Sequence, residues 1–417
     1  MAREMKDSGF MWVGQIPKEW TKRRLRYLCD IQTGNQDTQD RDPDGAYPFY
    51  VRSPIVERSN KYTFEGSAIL MAGDGVGAGR IFHLVDGRYG CHQRVYSLQN
   101  IRDINRKFLY YYLSNLFPME IEIANSKSTV DSVRLPMLQN FQVVIPDIYE
   151  QEQIVNFLDL ICTEIDTVIE KTKMTIEEYK KLKQSVITDA VTKGVRGSRQ
   201  MKDSGIELVG SIPTEIKISR VGLHYDIILG KMLCTTPPDE SYTLEPYYCA
   251  ADIHFEGVAD GERKQMWFNP AEKEQYLVQE NDLLVVEGGA GAGGCAVVRM
   301  QDTPTYIQNS IMIVRPRHSA SVSYLRYLIE CFVKQGYIDV VCNKATIPHF
   351  TKDKLATVPF FVFSQAEQKE IADYLDKKCA EIDALIDKKT TMLKEMENYK
   401  KSIIYEYVTG KKEVKNH

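Results

Sequence analysis

The sequence predicts an α+β chain built as an internal duplication: two mixed α/β domains separated by two long antiparallel helices packed as a coiled coil, the halves related by a pseudo-two-fold axis. Three observations predict it. MKDSGFMWVGQIPKEW at residues 5–20 returns as MKDSGIELVGSIPTEI at 201–216, with ten of the sixteen positions identical. Residues 150–194 match 367–411 at a constant shift of 217, with 17 of 45 positions identical. Within both of those stretches, apolar residues recur at spacings of mostly three and four, the period of a helical seam.

Taken in order, the opening at 5–20 carries no recognisable chemistry and reads as a joint. A pseudo-two-fold axis places it beside the end of the second helix, so Val13, Ile16, Pro17 and Trp20 are expected to pack near the C-terminal end of 367–409. The globular part that follows offers short strands at 68–71 and 80–85, answered by 282–286 and 295–298, among Gly-, Asp- and Pro-bearing turns. Residues 110–113 and 324–328 suggest short amphipathic helices. In the first long helix Ile154, Leu158, Ile161, Ile165, Val168, Ile176, Tyr179, Leu182 and Val186 form the seam, and no proline falls between Pro146 and Pro213. About 45 helical residues span ~68 Å. The seam returns at Ile371, Leu375, Cys379, Ile382, Leu385, Ile386, Leu393, Met396, Tyr399 and Ile403. A two-fold axis crossing two such helices makes them antiparallel. The expected division is 1–149 and 199–365 as globular domains, with 150–198 and 366–417 as spacer helices.

Several function classes are disfavoured. The chain has 417 residues, 43% hydrophobic and 26% charged, with a net charge of −4. No apolar run approaches the ~20 residues of a membrane span. The start, MAREMKD, has no apolar core of a secretory signal, so a cytoplasmic location is expected. Nine cysteines are scattered without a C-x-x-C pair, and the seven histidines show no metal-ligand spacing. GAGAGG at 289–294 matches a dinucleotide fingerprint and GDGVGA at 73–78 its looser form, yet each leads into a strand-like stretch instead of a helix. They are expected to be hairpin tips. No Walker loop, N-P-P-Y tetrapeptide or G-x-S-x-G elbow is present, so no catalysis and no cofactor are expected of this chain itself.

The paired SG-x-x-x-VG-x-IP openings, the E-Q-x-x-I-x-x-F/Y-L-D helix starts and the whole-chain duplication resemble the specificity subunits of type I restriction-modification systems. The second opening departs at Ile216, where the first has Trp20, and lacks a counterpart of Trp12. The resemblance implies two target-recognition domains, each reading one half of a split double-stranded DNA sequence. It also implies two methylation subunits, which bind S-adenosylmethionine, and motor-nuclease restriction subunits that use ATP. A spacer of this length is compatible with half-sites one to two helical turns apart, roughly 34–70 Å.

Candidate DNA-binding residues lie on polar loops. In the first domain they are Arg80 beyond the glycine tip, His92, Gln93 and Arg94, and Lys127, Ser128 and Thr129. In the second they are Gln308, Asn309, Lys344, Thr346 and His349. Arg and Gln present paired groups suited to guanine or adenine edges, and Lys, Ser and Thr suit phosphates. Gln93 and Gln308 are read as counterparts. Two other readings stay open: a coiled-coil scaffold binding protein partners, and a free-standing methyltransferase or nucleotide-binding enzyme.

Overall fold

The computed structural model describes residues 3–125, 132–289, 291–299, 303–342 and 349–414. It divides into two compact units, one formed by Met1–Lys173 with Thr390–His417 and the other by Met174–Lys389. The long helices, Ile148–Lys193 and Gln365–Val408, each begin in one unit and end in the other.

In the first unit a four-stranded antiparallel sheet runs in the order Asp30–Thr33, Val95–Gln99, Ala68–Ala72, Phe82–Val85. The strand AILMA is buried along its whole length because it has a core on each face. Alternation assigns Ile69 and Met71 to the core shared with helix Arg106–Asn125, and Ala68 and Leu70 to a smaller core with Tyr89 and Cys91. That second core is covered by a smaller sheet in which Tyr47–Tyr50 runs parallel to Arg88–Cys91. The second unit repeats this topology. Tyr225–Leu229, Ile311–Pro316, Leu283–Val286 and Cys295–Val297 form the larger sheet, and Thr243–Tyr248 runs parallel to Tyr306–Ile307 in the smaller one. Both glycine stretches close hairpins between antiparallel strands, as expected of tips.

The helices expected as short pieces at 110–113 and 324–328 are longer, Arg106–Asn125 and Val322–Lys334. Their starts are set by side chains that an apolar-pattern reading overlooks. Asn105 Oδ1 accepts from the Lys107 N–H at 2.9 Å, and Ser321 Oγ from the Tyr324 N–H at 3.2 Å.

The duplicated helix start acts as a clasp, and its Glu, Gln and Asp each have a partner in both copies. Glu150 takes a two-pronged bond from Arg3 at 2.6 and 2.8 Å, and Glu367 takes Arg199 at 2.5 Å. Gln151 accepts the Asn105 N–H at 2.7 Å, and Gln368 the Ser321 N–H at 2.8 Å, so the glutamine holds the helix of its domain by the capping residue. Asp159 accepts the Tyr111 hydroxyl at 2.8 Å, and Asp376 that of Tyr327 at 2.6 Å. Burial and the facing carboxylate push both tyrosine pKa values up. Ile154, Leu158, Ile371 and Leu375 fill the buried side of the same turns.

Each unit also shows the helices antiparallel. In the first, Lys400 Nζ bonds Asp166 at 2.6 Å and Phe157 packs on Tyr407 with ring centroids 4.4 Å apart. In the second, Lys183 Nζ bonds Asp383 at 2.7 Å. These are one pair used twice with partners exchanged, since Asp166 corresponds to Asp383 and Lys183 to Lys400. The seam differs in detail from the apolar count. Leu158, Cys162, Ile165, Ile169, Thr172 and Ile176 are buried at alternating steps of four and three, whereas Leu182, Leu385 and Tyr399 are exposed. A period of 3.5 on a helix of 3.6 selects Cys162 and Thr172 over more apolar neighbours.

The opening packs as expected. Val13, Ile16 and Trp20 share a core with Ile403, Ile404 and Val408, and Tyr405 Oη donates to the carbonyls of Trp12 at 3.2 Å and Val13 at 3.3 Å. Lys411 Nζ donates to the Val13 carbonyl at 2.7 Å. Gly410 ends the helix at φ +69, and a Cβ there would lie 2.4 Å from Pro17 Cδ, so no other residue fits. In the second unit Ile212 and Ile216 meet Ile187 and Val191 in the same way. The lost tryptophan is compensated from another strand end. Arg3 lies over the Trp20 ring at 5.6 Å, while Arg199 lies over Phe363 at 6.0 Å.

Burial of the Glu330 carboxyl, inside the second unit, raises its pKa more than nearby Arg326, at 3.2 Å, lowers it. A carboxyl raised in the folded state contributes stability at acid pH and loses it as pH rises through the folded pKa. Glu330→Gln is therefore expected to raise the melting temperature at pH 7, with the gain disappearing near pH 4. A lower melting temperature at pH 7 would show that the Arg326 pairing dominates.

Candidate nucleic-acid interface

In each unit three chain segments meet at the end of the larger sheet where the glycine hairpin closes. In the first unit the Gly73 N–H donates to the Arg94 carbonyl at 2.8 Å, and the Val133 N–H donates to the Gly73 carbonyl at 2.8 Å. In the second the Glu287 N–H donates to Ser310 at 2.8 Å, and the Phe350 N–H to Glu287 at 2.6 Å. The same junction thus joins the tip hairpin, the turn after the parallel strand, and the chain returning at Ser132 or His349. A fourth segment passes beneath it. Gly34 and Gly230 lie so close to that turn that a Cβ would stand 1.9 Å from the Cys91 carbonyl oxygen or 2.3 Å from that of Gln308. Only glycine admits this approach.

The backbone ladder corrects the expected pairing of Gln93 with Gln308. His92 bridges Gln36, and Gln308 bridges Lys231, both in parallel sense. The Val95 N–H bonds His92 O, and the Ile311 N–H bonds Gln308 O, each at 2.9 Å. Gln308 is therefore the counterpart of His92, and Asn309 that of Gln93. The shared letter misled by one residue because the turn is defined by backbone bonds to the preceding strand.

The predicted residues occupy different situations at this junction. His92 is only 3% exposed, its Nδ1 accepting the Arg94 N–H at 3.0 Å and its Nε2 lying 3.3 Å from Asp37 Oδ1. The bond from the Thr38 N–H, with His92 beside it, holds the Asp37 carboxyl below its usual range. Gln93 is exposed and donates to Asp37 Oδ2 at 3.1 Å. Arg94 has its side chain 62% exposed, with Nη1 3.5 Å from Asp74 Oδ2. Arg80 follows the tip and faces Glu122 at 4.0 Å. Gln308 accepts from Ser310 Oγ at 3.1 Å, and Asn309 is half-buried beside it. His349 is exposed and bridges Gly288 through its backbone. Lys127, Ser128, Thr129, Lys344 and Thr346 lie outside the described residues. Arg94, Gln93 and His92 are brought together with the first tip, and Gln308, Asn309 and His349 with the second.

Sequence reasoning missed Arg52 and Asp74. Asp74 opens the glycine tip and holds two arginines, Arg52 Nη1 at 3.1 Å and Arg94 at 3.5 Å. A carboxylate flanked directly by two glycines, Gly73 and Gly75, offered a signal, but Arg52 stands 22 positions earlier and only the fold joins them. Burial pushes the Cys91 thiol beneath this site up to about 12, so it is a packed thiol. Among the described residues no group of three His, Cys, Asp or Glu side chains is placed to hold a metal, and no helix is long and apolar enough to cross a membrane.

One frame used twice, with different polar side chains at the same junction, defines a duplicated recognition protein. The model of the type I restriction modification DNA specificity domain matches residues 17–178 and 248–395. The chain is 28% identical over 181 residues to the EcoDI type I restriction enzyme specificity subunit of Escherichia coli; that alignment covers 43% of this chain and 40% of that protein. It is 24% identical over 444 aligned positions to the putative type I restriction enzyme MjaX specificity subunit of Methanocaldococcus jannaschii, covering 97% of this chain and 96% of that one. Its fold resembles that of a solved chain from work on complex assembly and conformational transition of the type I R-M system. There the TM-score is 0.68 at 18% identity, over 95% of this chain and 99% of the other. The chain belongs to the family of type I restriction-modification DNA specificity subunits. With the family domain matched in both halves, the protein-binding scaffold reading is not favoured.

Proposed function

We propose that residues 1–149 and 199–365 each read one half of a bipartite double-stranded DNA target in the cytoplasm. Residues 150–198 and 366–417 act as spacer and as docking site for two methylation subunits. S-adenosylmethionine and ATP are then used by the methylation subunits and the motor-nuclease restriction subunits, and this chain supplies specificity alone. The observation that carries the reading is the repeated junction. Its backbone bonds are the same in both units, while Gln93 and Arg94 in one are replaced by Asn309 and Ser310 in the other. Different side chains on one frame suit two different sequences. His92, buried and engaged at both nitrogens, takes the supporting role, and the exposed Gln93 and Arg94 reach for bases.

Arg94→Ala in the full complex is expected to weaken binding to the target by ~1–3 kcal/mol and to relax base preference in one half-site only. Methylation sequencing and competition binding check it. Equal weakening on all duplexes would make Arg94 a phosphate contact.

A further inference from the structure

The glycine hairpin of the first unit carries an exposed apolar side chain at its apex. Gly75-Val76-Gly77-Ala78 is a tight turn closed by the Ala78 N–H on the Gly75 carbonyl at 2.9 Å, and Val76 is 93% exposed. A second exposed apolar side chain lies on the adjoining loop. Ile55 is 71% exposed yet is held in place, its N–H and its carbonyl both bonded to Ser53 Oγ at 3.1 Å. The two loops touch, since a Cβ on Gly77 would lie 2.8 Å from the Arg52 carbonyl oxygen. Arg52 and Arg94 are both held by Asp74, two residues before Val76.

Water gains nothing from rigid apolar side chains at a loop apex, whereas a base edge does. The major groove admits a two-stranded ribbon, and the thymine methyl is the apolar mark it displays. The turn is narrow because glycines flank Val76, and its two arginines match the phosphates or guanines beside such a mark. We propose that this hairpin enters the major groove as a ribbon and that Val76 reads a thymine C5-methyl group, with Ile55 shielding the contact. The second hairpin, GGAGAGG, offers no comparable side chain. The second reader exposes Met232 and Leu233 instead, directly after the Gly230 crossing. The two readers thus place apolar contacts on different loops.

This inference rests on the DNA-reading function proposed above, and the two fail differently. The test uses the chain assembled with its methylation subunits and duplexes of the methylated target. Each thymine of the half-site whose preference relaxes in Arg94→Ala is replaced in turn by deoxyuridine, which lacks only the methyl. One replacement is expected to weaken wild-type binding roughly threefold to tenfold. Val76→Ala is expected to weaken binding to the thymine duplex by the same factor and to lose the discrimination against uracil. Wild-type protein indifferent to every replacement would overturn the assignment, as would a Val76→Ala protein that still discriminates. Wild-type protein that binds target and scrambled duplexes equally would instead overturn the reading function itself.

Discussion

Trp20→Ala is expected to destabilise the unit formed by residues 1–173 and 390–417 by about 3–5 kcal/mol, the range for truncating a buried large aromatic side chain. Trp20 is 1% exposed. Its indole N–H donates to Glu150 Oε2 at 2.9 Å, its ring meets Phe108 edge-on at 6.4 Å, and Arg3 lies over its face. Truncation removes this packing and also takes a donor from Glu150, the carboxylate that ties the opening to the first long helix. Trp20→Phe keeps most of the apolar volume and is expected to cost less, isolating the hydrogen bond. Hydrogen exchange at Val13, Leu25 and Ile404 is the measurement of choice, since it reports this unit separately. Protection factors lowered there by less than tenfold would mean that the joint contributes little. Ile216→Ala, at the corresponding position, should open residues 187–191 and 212–221 instead.

Lengthening the two helices together is expected to change the target without changing the bases read. The unit boundaries fall at Lys173/Met174 in one helix and Lys389/Thr390 in the other. Seven residues inserted at each point add about 10.5 Å of helix and keep the phase of the seam, since seven residues are two full periods of a 3.5-residue pattern. Within either unit no pair such as Asp166–Lys400 or Lys183–Asp383 is altered. The gap between half-sites in the methylated target should grow by about three base pairs, at 3.4 Å per pair. An unchanged gap in cells carrying the complete system would sink the idea that the helices measure distance. Inserting four residues instead would rotate the seam and is expected to abolish methylation.

The parts of this fold legible in the sequence are those where a letter has one fixed partner. The E-Q start repeats because Glu150 and Glu367 need the arginine two residues before each opening, and Gln151 and Gln368 need the capping residue of a neighbouring helix. Val13, Ile16 and Trp20 were readable as a joint because the order of the duplication brings them to the far helix end. The reading surface was less legible. Gln93 and Gln308 share a letter, but the bridges from Gln36 and Lys231 shift the frame by one, and those bridges exist only once the sheet has formed. Arg52 could not be found at all, since its link to Arg94 passes through Asp74 across two loops. The seam fell between these cases: its period was plain, and its membership, with Cys162 and Thr172 inside and Leu182 outside, depended on which side of each turn faced the partner.

The way the chain closes on itself also sets an order of events during synthesis. The unit of residues 174–389 is contiguous, so every residue it needs has been made before the last segment emerges from the ribosome. The other unit waits. Its core needs Ile403, Ile404 and Val408, and its opening needs the hydroxyl of Tyr405 and the ammonium of Lys411. The reader made first is thus finished last, and a nascent chain truncated before residue 390 would carry one complete reader and one still lacking its final strut.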